Sequence, residues 1–111
     1  MEITRMRADQ IERASAQRSE RRRRLLEAAM AEARVTGFAR MTREAVANVA
    51  GMSHGCVNHE FGTMAGLREA VMHEAVRESD LAIIAQGLAA GDPIAKTAQP
   101  EVRAAAVAYL I

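Results

Sequence analysis

The sequence predicts an all-α fold: a three-helix head with a tight turn between its last two helices, a long fourth helix and a short C-terminal helical region. Three observations predict it. Apolar residues recur at three- and four-residue spacing, most clearly at Leu25, Leu26, Ala29, Met30 and Ala33. Gly37, Gly51, Gly62 and the Gly91-Asp92-Pro93 segment punctuate these runs. No segment alternates apolar and polar residues as a half-buried strand requires.

Residues 4–20 lack Gly and Pro and carry only a thin apolar stripe, Met6, Ile11 and Ala14, behind a candidate cap at Thr4. This pattern fits a frayed helix or an arm that orders on a partner. The Arg21–Arg24 run leads without a breaker into the Leu25 stripe, so one helix is expected over about residues 20–36, closed by Gly37. A second helix begins at Met41 or Thr42. Glu44 lies in its first turn, where negative charge meets the positive helix end, and Ala45, Val46 and Val49 supply its inner face. Gly51 breaks that helix, and Ser53 caps a third, about residues 54–60.

From Ala65 onward, Leu67, Ala70, Val71 and Ala75 run toward Ile83, Ile84 and Leu88, which predicts one long helix over roughly 65–88. Residues 94–99 form a turn or short helix, and Pro100 with Glu101 opens a last helix that ends near Leu110. At 1.5 Å per residue the fourth helix spans roughly 35 Å, more than a three-helix head needs to close its core. Leu81, Ile84 and Leu88, with Val107 and Leu110 of the last helix, are therefore expected to meet a second copy in a homodimer.

The 111 residues suit one compact domain, and the hydrophobic 50% overstates the core because much of it is alanine. One Cys excludes an intrachain disulfide. No stretch approaches the ~20 apolar residues that cross a bilayer. With no signal-peptide pattern behind the Arg-rich opening, a cytoplasmic location is expected. The net charge of +1 hides an asymmetry: residues 1–24 hold eight Arg against four acids, and the remainder is net negative. Fourteen of the fifteen basic residues are Arg, whose planar fork suits phosphate and guanine.

The short third helix would present free backbone amides at Ser53, His54 and Gly55, a phosphate-binding arrangement. His54, Asn58 and His59 are compact polar side chains for a major groove, and Asn pairs bidentately with adenine. Thr42 and Arg43, at the start of the second helix, are placed to grip a phosphate. Arg5, Arg7 and the run Arg21, Arg22, Arg23 and Arg24 supply positive charge beside them, for a minor groove or for phosphates. Val57 is expected to face inward, and Phe38 and Phe61 to form an aromatic core between the first, third and fourth helices. His54, Cys56, His59 and His73 match no metal-ligand spacing, so no metal or cofactor is expected. Ser53, His54 and Cys56 on one short helix cannot form a nucleophile, base and orienting group, so the chain does not read as an enzyme.

The span Arg24–Leu67 resembles the DNA-binding head of the TetR family of bacterial transcriptional regulators. The resemblance rests on Leu25, Leu26, Ala28 and Ala29, then Gly37-Phe38, then Thr42, Val46, Ala47 and Ala50-Gly51-Met52-Ser53. Gly55, Val57, His59, Phe61 and Leu67 complete it in register. The chain departs from the family where Asn58 replaces the usual Tyr and Met64 the usual Lys, two positions that commonly touch phosphates.

The resemblance implies a sequence-specific regulator of double-stranded DNA, a dimeric repressor on a palindromic operator. The alternatives are an architectural DNA-binding protein of low specificity and a helical protein-interaction module. Residues 1–19 are expected as an Arg-rich arm or helical extension, 20–67 as the head and 68–111 as an oligomerisation region. Only 44 residues follow Leu67, too few for the family's usual ligand pocket and dimer interface together. Either the chain is a piece of a longer one, or it is a minimal regulator controlled by abundance or by a regulatory protein partner, without a small-molecule ligand.

Overall fold

The computed structural model describes residues 2–110, with side chains from Arg7 onward, and among them are six α-helices and two 3-10 turns but no strand. The helices are α1 (Glu2–Val35), α2 (Arg43–Ala50), α3 (His54–Phe61), α4 (Met64–Glu78), α5 (Leu81–Ala89) and α6 (Pro100–Val107). The 3-10 turns are Ala95–Thr97 and Ala108–Leu110.

Local chemistry sets the starts of the three helices that follow α1. The hydroxyl of Thr42 accepts from the Ala45 amide at 3.1 Å, that of Ser53 from Cys56 at 3.4 Å and that of Thr63 from Gly66 at 3.0 Å. Each fills one orphan donor at a helix N-terminus. The core is apolar throughout: no polar or charged residue is buried among those described. Leu25, Ala29 and Ala33 of α1 meet Val46 and Ala47 of α2, Val57 of α3, and Leu67, Val71 and Met72 of α4 in one cluster. Full burial of Leu25 or Leu67 contributes roughly 1.5–3 kcal/mol each.

The long fourth helix expected over 65–88 is two helices. Ser79 adopts a left-handed conformation, φ 54°, and ends α4; Asp80 then caps α5, accepting from the Ile83 amide at 3.2 Å. The same carboxylate holds Arg34, near the end of α1, at 2.5 Å. Nearly two turns further, the Gln86 side chain donates to the Ala33 carbonyl at 3.1 Å and accepts from the Phe38 amide at 2.5 Å. Asp80 and Gln86 thus fold α5 back onto the end of α1, and Ile83 and Ile84 lie fully inside the core.

This placement removes the length argument for self-association. Ile84, expected at a dimer interface, faces the chain's own interior at 0% exposure. Leu81 and Leu88 are half-buried against the same core, while Val107 and Leu110 remain exposed. Two further expectations are corrected. Val49 is exposed, because α2 turns the stripe Val46, Ala47 and Ala50 inward and Val49 falls beside it. The last helix stops at Val107 and tightens into the 3-10 turn instead of running to Leu110.

The Arg-rich opening is neither an extended arm nor a separate element. It continues α1 as one helix, and every residue from Arg7 to Glu20 is exposed. The molecule is accordingly elongated, 61 × 29 × 18 Å. Thr4, Arg5 and Met6 lie outside the residues whose side chains are described, and Ile111 lies outside the described residues altogether.

Candidate nucleic-acid interface

A tight turn of Gly51, Met52 and Ser53 joins α2 to α3. Gly51 takes a left-handed conformation, φ 69°, and the Met52 amide returns to the Ala47 carbonyl at 2.9 Å. This closure satisfies the last carbonyls of α2 and sharply redirects the chain. A side chain at Gly51 would be strained by that φ alone. From Ser53, α3 buries Val57, half-buries Cys56, and leaves Ser53, His54, Gly55, Asn58 and His59 exposed. Thr42 is also exposed and Arg43 half-buried at the start of α2. The seven residues expected from the helix-turn-helix pattern therefore lie on accessible positions of two successive helices.

The Arg21–Arg24 run has a division of labour that sequence reasoning missed. Arg24 Nη2 donates to the Ala50 carbonyl, the last of α2, at 3.1 Å. Arg22 Nη1 donates to the Glu60 carbonyl, near the end of α3, at 3.1 Å, with its guanidinium 4.5 Å from the Phe61 ring centroid. Each guanidinium meets the negative end of a helix and a carbonyl without an intrahelical partner. Phe61 is thus half-buried beneath Arg22, at the edge of the aromatic core expected for it, whereas Phe38 is buried. Arg23 turns away and pairs with Glu20 at 2.6 Å and Glu27 at 2.5 Å. The hydrogen bond from Arg23 holds the Glu20 carboxyl below its ordinary range. Of the four, Arg22 and Arg24 position the motif and Arg23 neutralises acids.

Arg21 differs. It lines a shallow depression of about 280 Å³ between α1 and α3, together with Ser53, Gly55, Cys56, His59 and Glu60. A guanidinium, a helix N-terminus and an imidazole therefore border one concave surface. Arg21 and the first amides of α3 supply donors there, and the Glu60 carboxylate borders the same surface. The Ser53 hydroxyl also donates to Cys56 Sγ at 3.4 Å, which fixes the first turn of α3.

Met64 begins α4 half-buried against the core. Asn58 is exposed on α3. Among the described residues no three His, Cys, Asp or Glu side chains gather as a metal site. No helix among them is long and apolar enough to cross a membrane. Residues 25–71 match the profile of the family described as bacterial regulatory proteins, tetR family. No curated protein and no solved structure matches the chain.

Proposed function

We propose that residues 25–71, which match the tetR-family profile, form a helix-turn-helix head and that the chain is a sequence-specific regulator that binds double-stranded DNA through α3. The observation that carries this reading is the exposed set Ser53, His54, Gly55, Asn58 and His59 on a helix whose opposite side is fixed by Val57. Arg22 and Arg24 tie the ends of α3 and α2 to α1, so the reading surface is held before DNA arrives. Such preorganisation lowers the ordering cost of binding. The His54 and Gly55 amides receive a phosphate, Thr42 and Arg43 grip the strand across the groove, and Asn58 and His59 meet base edges. The regulator acts as a dimeric repressor on a palindromic operator in the cytoplasm, with half-sites about 34 Å apart.

Selection of random duplexes by the purified chain tests the proposal. A recovered palindrome with fixed half-site spacing is the expected result. Asn58→Ala or His59→Ala should then lower discrimination at one base pair by about 1–3 kcal/mol while leaving unfolding unchanged. Equal losses on every duplex would sink base readout and favour the architectural alternative.

A further inference from the structure

The exposed N-terminal half of α1 carries an organised charge pattern. Arg7, Ile11, Ala14, Arg18, Arg21, Leu25 and Ala28 follow one another at alternating spacings of four and three residues, a single face of one helix. Leu25 and Ala28 are buried in the head, so the basic stripe extends the core-facing side of α1 beyond the body. The acids Asp9, Glu12 and Glu20 fall off this stripe, and Glu20 is paired with Arg23. Arg24 and Arg22 flank the stripe and bind the ends of α2 and α3, so the helix-turn-helix straddles it. Arg21, next along it, borders α3.

We propose that this stripe is a second DNA-binding element, a rigid helical outrigger whose Arg7, Arg18 and Arg21 contact phosphates outside the half-site read by α3. The inference rests on the proposed reading of the head and adds a flank to it. Charge complementarity identifies the occupant: a one-sided row of guanidinium groups, with Arg7 and Arg18 exposed and Arg21 half-buried beside α3, matches a regular polyanion seated against α3. The 14 residue steps from Arg7 to Arg21 rise about 21 Å, the length of roughly six base pairs at 3.4 Å each. The contacts are to phosphate, so flanking length matters and flanking sequence does not.

The test uses the full chain and the duplex recovered by selection, carrying either about two or about twelve base pairs beyond each half-site. Arg7→Ala with Arg18→Ala should lower the slope of log K against log salt by about 2 per head, which narrows the affinity loss between 50 and 200 mM salt roughly tenfold. The long duplex should lose this contribution, and the short duplex should lack it from the start. Compared with the single variant Arg18→Ala, Arg13→Ala removes the same one charge from another side of the helix and should leave the slope nearly unchanged. A slope drop for Arg13→Ala equal to that for Arg18→Ala overturns the stripe, as does equal binding of long and short duplexes by the unaltered chain. A chain that binds no duplex overturns the reading of the head and this inference with it, whereas intact operator binding with an unchanged slope in the double variant overturns the outrigger alone.

Discussion

Gly66→Ala should destabilise the head by about 2 kcal/mol, despite replacing a helical glycine with the best helix former. A Cβ at Gly66 would sit 2.3 Å from the Phe61 carbonyl oxygen, and that oxygen belongs to the backbone ending α3. The neighbour cannot swing aside as a side-chain tip would. Either α4 or the end of α3 must shift, and the Arg22 clamp on Glu60 shifts with it. Gly55→Ala is the matched control. Its Cβ would meet only the Ser53 hydroxyl at 3.7 Å, ordinary contact, so the helix should gain up to about 1 kcal/mol. Chemical denaturation of the two variants should move the midpoints in opposite directions. Equal midpoints would mean that the α3–α4 junction has slack that its geometry does not show.

Ile84→Ala should cost about 3 kcal/mol, and the cost should not depend on protein concentration. Ile84 is fully buried within its own chain, beside Ile83, on a helix held to α1 by Asp80 and Gln86. Truncation there leaves a cavity that this well-tied helix cannot easily close. A residue at a subunit interface would behave differently, because its loss would fade or grow with dilution. Leu110→Ala is the contrast: at 50% exposure in this chain, it should change unfolding by no more than about 0.5 kcal/mol. Unfolding curves at widely separated protein concentrations check both statements. A cost of Ile84→Ala, measured against the unaltered chain at the same concentration, that changes with dilution would return this residue to an interface.

The head was legible in the sequence because its punctuation is local. Thr42, Gly51 and Ser53 act through bonds to neighbours within a few positions, and those bonds appear where the residue types imply them. The inward position of Val57 follows from the same short-range periodicity. The break after Glu78 was harder to see. Ser79-Asp80 ahead of an apolar run is a start signal, but the continuous apolar pattern from Leu67 to Leu88 masked it. What decides the matter is tertiary: α5 gains Arg34 and the end of α1 as partners only by turning back.

The Arg run shows the opposite limit. Composition identified its charge but not its bookkeeping, since Arg22 and Arg24 find carbonyls 38 and 26 residues away. Val49 was misplaced for a simpler reason. In an eight-residue helix, a one-residue rotation of the apolar stripe is enough to exchange an inner position for an outer one.

The uninterrupted α1 implies two regimes of amide exchange within one helix. From Leu25 to Ala33 its amides lie under the core and should exchange only through large-scale opening. From Arg7 to Glu20 the same hydrogen-bonded ladder stands in water without tertiary cover, so fraying should release those protons far sooner. The boundary should fall at the Arg21–Arg24 run, where α2 and α3 are fastened. A deuterium-labelling profile with that step, flattened when duplex is added, would show the distal ladder acquiring protection from outside the chain.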